Sequence, residues 1–95
     1  MSVLVYTEIN KGRVKKASLE CINYGAKIAE LTGTSVTAFV NHANQDQLEE
    51  IGLAGASKII SVKNDALKSD SMLLSAAMEQ VAKLEKSKII IFFSY

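Results

Sequence analysis

Val3-Leu4-Val5-Tyr6-Thr7-Glu8 is an apolar run with β-branched and aromatic members and no polar alternation before Thr7. Such a run reads as a strand buried on both faces, of the kind found near the middle of a parallel sheet. It turns polar at Thr7 and Glu8, and ligands of open α/β sheets sit at the carboxyl ends of the strands. With this strand central, three later apolar runs flank it and three helical patterns cover it.

Working outward, Ile9-Asn10-Lys11-Gly12-Arg13-Val14 carries a turn signal, because Gly12 can take a positive φ, and Ile9 and Val14 can face each other across it. Ser18 stands as an N-cap with Glu20 in the first helical turn, where the helix dipole favours a carboxylate. Glu20, Asn23, Lys27 and Glu30 recur as a polar face. Leu19, Ile22, Ala26 and Ala29, joined by Cys21 and Ile28, make the apolar one. Gly25 costs about 1 kcal/mol against Ala inside that helix, which points to close approach to the sheet. Gly33 closes the helix.

Val36-Thr37-Ala38-Phe39-Val40 is the second strand, parallel to the first through a right-handed crossover. Asn41-His42-Ala43-Asn44 forms the loop beyond it. Asn44 and Gln47 make a capping box for a short helix with Leu48 and Ile51 inward, broken by the Gly52–Gly55 region. Lys58-Ile59-Ile60-Ser61-Val62-Lys63 is a third strand, flanked by lysines as edge strands often are. Asn64-Asp65 opens a polar loop, with Ser69, Asp70 or Ser71 as caps of a long helix that places Leu74, Ala77, Met78, Val81 and Leu84 on one face. Lys88-Ile89-Ile90-Ile91-Phe92-Phe93 is the fourth and most apolar strand.

These elements predict a three-layer, doubly wound, Rossmann-like α/β sheet with strand order 3-2-1-4. The last run would then be a bare hydrophobic edge, which proteins avoid. The expectation is therefore a single domain over residues 1–95 that is the front portion of a longer subunit, cut before a remaining helix and strand. Self-association through that last strand is expected of the piece alone.

Composition narrows the function classes. Ninety-five residues with 48% hydrophobic and 22% charged content suit one small globular domain. A net charge of +1 supplies no field for nucleic acid, and the Arg13-Lys15-Lys16 group reads as a solvated turn. One cysteine allows no intrachain disulfide, so a reducing compartment is the default. No run approaches the roughly 20 apolar residues of a membrane helix. The first strand leaves no room for a leader, so a bacterial cytoplasmic chain is expected.

Candidate site residues read mostly as scaffold. Gly52-Leu53-Ala54-Gly55-Ala56-Ser57-Lys58 has the wrong spacing for a phosphate loop and precedes a strand, so a helix cap and tight turn fits better. His42 lies at a strand's carboxyl end but lacks a conspicuous Asp or Cys partner in sequence. Cys21 is a small core hydrophobe with no cation near it in sequence to lower the thiol pKa. Met72 and Met78 fit packing. Thr7 and Glu8 are the best-placed polar groups. No acid–base pair, nucleophile constellation or metal set stands out.

Three stretches carry a family resemblance: Val3-Leu4-Val5-Tyr6-Thr7-Glu8 with the Gly12 turn and Ser18-Leu19-Glu20; Leu48 through Ile59; and Ile89-Ile90-Ile91-Phe92-Phe93-Ser94. In order and spacing they resemble the N-terminal domain of the electron-transfer flavoprotein alpha subunit, within the adenine nucleotide alpha hydrolase-like superfamily. The resemblance implies a scaffold and subunit-interface domain and an electron-carrier component, not an enzyme. It implies FAD held by a C-terminal domain absent from this chain, and AMP in the partner beta subunit. The intact heterodimer would carry electrons from dehydrogenases to a quinone reductase. No catalytic, cofactor-binding or metal residue carries over, and no cofactor is expected in this stretch. The alternative is a stand-alone adenine-nucleotide-binding domain of the universal-stress-protein type, gripping ATP or AMP in the crevice between strands one and four. It requires a Gly-rich turn opening a helix after strand four.

Overall fold

The computed structural model describes residues 2–86 and 89–91, with the side chains of 68–69 and 89–91 excepted. The opening run forms β1 (Ser2–Thr7). It lies inside a four-stranded sheet with β4 (Ser35–Asn41) on one side and β6 (Ile89–Ile91) on the other. β5 (Lys58–Val62) takes the edge beyond β4, and every pairing in this sheet is parallel. The order β5-β4-β1-β6 is the expected 3-2-1-4. β1 pairs β4 from Ser2↔Ser35 to Thr7↔Val40, and β6 from Val3↔Ile89 to Val5↔Ile91. Lys88, Phe92 and Phe93 of the expected last strand lie outside the described residues.

Because successive side chains of a strand point to opposite faces, β1 serves two cores. Val3 and Val5 join Val36, Ala38 and Val40 of β4 beneath α1 (Lys16–Thr32) and α2 (Gln45–Ala54), around Ile22, Ala29 and Ile51. Leu4 and Phe39 face the other way, against Leu67 of α3 (Ala66–Ser69) and Leu74, Met78 and Ala82 of α4 (Ser71–Leu84). Helices therefore cover both faces, which makes the architecture three-layered, doubly wound and Rossmann-like.

Between β1 and α1 the chain makes a small hairpin, β2 (Ile9–Asn10) and β3 (Arg13–Val14), in which Ile9 does face Val14. Lys11 and Gly12 at its tip have φ of 54° and 75°. Two consecutive positive φ values match the twist of a two-residue hairpin turn.

Local signals set most helix ends. Gly33 takes φ 70° and donates its N–H to the Ala29 carbonyl. The Asn44–Gln47 capping box is reciprocal, with Gln47 N donating to Asn44 Oδ1 at 2.9 Å and Asn44 N to Gln47 Oε1 at 2.8 Å. Asp70 caps α4, its Oδ1 accepting from the amides of Met72 and Leu73, both at 3.0 Å. Gly25 falls on the buried line Ser18–Ile22–Gly25–Ala29 of α1, in keeping with close approach to the sheet.

Two expectations are corrected. Ser18 is not an N-cap: α1 starts at Lys16 from an extended Lys15, and the buried Ser18 hydroxyl accepts the Glu8 amide at 2.9 Å. The hairpin returns the chain so close to the end of β1 that this orphan amide takes the hydroxyl first. Glu20 consequently lies beyond the first turn, which holds no acidic residue. The Gly52–Gly55 region does end α2, and does so at Gly55 with φ 130°, Gly52 lying within the last turn. Leu84 is 79% exposed, and Ala82 is buried instead. At about 100° per residue, Ala82 and Leu84 flank opposite sides of the Leu74–Met78 line, and the sheet meets the Ala82 side.

Candidate functional site

The carboxyl ends of β4 and β5, the hairpin and the start of α2 surround an open polar recess of about 490 Å³, lined by Ile9, Lys11, Gly12, Asn41, His42, Ala43, Asn44, Gln47 and Lys63. Its walls are laced together. Asn41 Nδ2 donates to the Asn64 carbonyl at 2.8 Å, and the Asn64 amide returns to Asn41 Oδ1 at 2.9 Å. The His42 amide donates to the Val62 carbonyl at 2.8 Å. Asn41 thus continues the β4–β5 ladder with its side chain for one more step. His42 then leaves the strand with φ 59°, a left-handed conformation uncommon outside glycine.

His42 does have an acidic neighbour, contrary to the reading from sequence. Its Nε2 lies 2.9 Å from Asp65 Oδ1, brought there by the turn after β5. The contact is a charged pair only when the ring is protonated, and its geometry does not make a hydrogen bond of the buried Nε2. Asp65 itself is largely exposed, so this pair adds little stability.

Thr7 and Glu8 divide at the end of β1. Thr7 is buried, and its Oγ1 has no hydrogen-bond partner among the described residues. Glu8 serves the scaffold: its carboxylate lies 3.3 Å from Lys15 Nζ, and its carbonyl accepts the Lys15 amide at 2.8 Å. Tyr6, on the opposite face, packs its ring against Phe39 with centroids 6.3 Å apart. Burial first, and the Glu8 charge second, push its hydroxyl pKa up.

The remaining candidates stay apart from the recess. Cys21 is half-buried against the α1 core, and burial, with Glu20 second, raises its thiol pKa. That is the reverse of an activated thiolate. Met78 is core, and Met72 is exposed on α4. Gly52 through Lys58 forms the end of α2 and the entry to β5, with no phosphate cradle opening a helix. Arg13 and Lys16 are exposed. Among the described residues, no group of three His, Cys, Asp or Glu side chains could hold a metal ion. The carboxyl end of β6, where the crevice with β1 would open, borders residues 92–95, outside those described.

A second depression is mainly apolar. Phe39, Val62, Leu67, Leu73, Ala77, Val81 and Leu84, with the polar Asn64, Glu79, Gln80 and Lys83, line a groove of about 560 Å³ beside α4. Residue-by-residue reading had no signal for it, since its lining comes from strands and helices far apart in sequence. The Gln47–Gly12 contact, with Gln47 Nε2 donating to the Gly12 carbonyl at 2.8 Å, was likewise invisible in sequence.

An all-parallel sheet wound on both faces, with its polar recess at the strands' carboxyl ends, defines a Rossmann-like α/β domain. The model of the family described as electron transfer flavoprotein domain matches residues 3–94, and the chain belongs to that family. Electron transport by a flavoprotein is accordingly the setting of this domain. A solved structure described as a universal stress protein in complex with cAMP is 15% identical, with 99% of this chain and 97% of that chain covered and a TM-score of 0.40. No curated protein matches the chain. Among the described residues, no helix is long and apolar enough to cross a membrane.

Proposed function

We propose that this chain is the N-terminal scaffold and subunit-interface domain of an electron-transfer flavoprotein alpha subunit. The observation that carries the reading is the family match across residues 3–94. In this reading FAD belongs to a C-terminal domain beyond these residues, and AMP to the beta subunit. The assembled heterodimer takes electrons from dehydrogenases and delivers them to a quinone reductase. The domain itself performs no chemistry. Its polar side chains at the strand ends support that role: Asn41, Asn44, Gln47 and Glu8 are engaged in holding loops and hairpin to one another. The mainly apolar groove beside α4, with Leu73 and Leu84 exposed along it, supports an interface role, because exposed apolar side chains at a groove favour a protein partner.

The test is a thermal titration of the purified chain with FAD and with AMP, followed by sizing after mixing with an electron-transfer flavoprotein beta subunit. A ligand at 100 times its dissociation constant stabilises by about 2.7 kcal/mol. The expected result is a colourless chain whose midpoint neither nucleotide moves, and which elutes with the beta subunit. An AMP-dependent rise without subunit association would replace the reading with that of a stand-alone nucleotide-binding domain.

A further inference from the structure

We propose that the Lys11–Gly12 tip of the β2–β3 hairpin is a hinged flap over the carboxyl-edge recess, and that Gln47 is the latch that holds it closed. The two ends of the hairpin are anchored very differently. At the base, Val14 is 6% exposed in the core, Ile9 packs against the same cluster, and the Lys15 amide donates to the Glu8 carbonyl. At the tip, Lys11 and Gly12 are exposed, and a Cβ built on Gly12 would meet nothing within 4 Å. The bond from Gln47 Nε2 to the Gly12 carbonyl, at 2.8 Å, is the one hydrogen bond joining that tip to another element among the described residues.

Gln47 is 7% exposed, and its amide orientation is fixed from the other side. Oε1 must face the Asn44 amide to complete the capping box, which leaves Nε2 aimed at Gly12. A capping box accepts Glu as readily as Gln at this position, and Glu would suit the positive end of the α2 dipole better. What Gln adds over Glu is a donor, and the donor is spent on the flap. Lys11 and Gly12 line the recess together with Asn41, His42 and Lys63. Release of the tip widens that recess without disturbing the sheet below it.

The experiment is amide hydrogen exchange on the full chain, comparing wild type with Gln47→Glu and Gln47→Ala. Gln47→Glu keeps the acceptor that caps α2 and turns the latch donor into a carboxylate oxygen that repels the Gly12 carbonyl. Exchange at residues 10–13 is expected to quicken about fivefold or more, the factor for one lost hydrogen bond, with α1 and α2 unchanged. Gln47→Ala is expected to quicken the same tip and also loosen the first turn of α2. Tip exchange within about twofold of wild type in Gln47→Glu overturns the latch. Quickening shared equally by α1 overturns it too, because that pattern is global loosening and not a flap.

Discussion

Glu85 joins three elements through one carboxylate. It ends α4, and its Oε2 accepts from Lys58 Nζ at 2.8 Å while Oε1 accepts from the buried Thr37 hydroxyl at 3.4 Å. The hydrogen bond from Lys58 is the chief cause holding its pKa below the ordinary 4.5, helped by the Lys58 charge and the Thr37 bond and opposed by burial. A carboxylate depressed in the folded state stabilises fully above its unfolded pKa, and that contribution fades as pH falls through the folded value. Wild type should therefore lose stability below about pH 4.5 in a way that Glu85→Gln does not. Thermal midpoints of the two across pH 3 to 7 should converge at the acid end; parallel curves would show that the carboxylate has no such role. The glycines of α2 offer a second residue-scale test. Gly55 sits at φ 130°, and a Cβ there would lie 3.0 Å from Ala26 Cβ, so Gly55→Ala should cost about 1–3 kcal/mol. Gly52 lies inside the helix with open space around it, so Gly52→Ala should stabilise by about 0.4–1 kcal/mol. Opposite shifts of the thermal midpoint, each about 4–8 °C per kcal/mol, are expected. Equal shifts would refute the close approach of α1 to the end of α2.

At the scale of elements, what could be read from sequence was what depends on neighbours along the chain. The Gly33 cap, the Asn44–Gln47 box and the Asp70 cap each act within a few residues, and the structure places them as their patterns require. Ser18 carried the same N-cap pattern, yet its hydroxyl is claimed by Glu8 across the hairpin, ten residues back. The side chains that meet at the recess are similarly remote. His42 and Asp65 come together only because β4 and β5 lie side by side and their following turns share a rim. α3 is a single turn, too short to leave a periodic pattern. The local caps should be worth their usual amounts. Asn44→Ala removes an N-cap acceptor and should lower stability by about 1 kcal/mol, and Asp70→Ala, losing two accepted bonds, by about 1–2 kcal/mol. Urea midpoints at constant slope would measure both. Losses below a few tenths of a kcal/mol would mean that packing, not capping, fixes these ends.

At the scale of the molecule, the feature that organises stability is that one strand floors two cores. Val3 and Val5 lie in the cluster under α1 and α2, and Leu4, between them in sequence, lies in the cluster under α3 and α4. Neither layer of helices can leave without exposing one side of β1, and β1 cannot shift without opening both. The two faces should therefore unfold as one cooperative unit. Leu4 is fully buried, so Leu4→Ala removes a side chain and leaves a cavity, at a cost of about 2–5 kcal/mol. For a small domain holding about 5–15 kcal/mol, that is a large fraction. Leu53→Ala, at a position 90% exposed, should change stability by no more than about 0.5 kcal/mol. The decisive measurement follows both faces of Leu4→Ala under denaturant in a background with Tyr24 and Tyr95 replaced by Phe, with Tyr6 fluorescence reporting the α4 face and amide exchange in α1 reporting the other. Because β1 is common to both, the α1 amides should lose as much protection as Tyr6 loses stability, although Leu4 touches the opposite layer. If α1 kept wild-type protection while the Tyr6 face melted early, the layers would be independent, and β1 would be a boundary between two cores, not the shared floor of one fold.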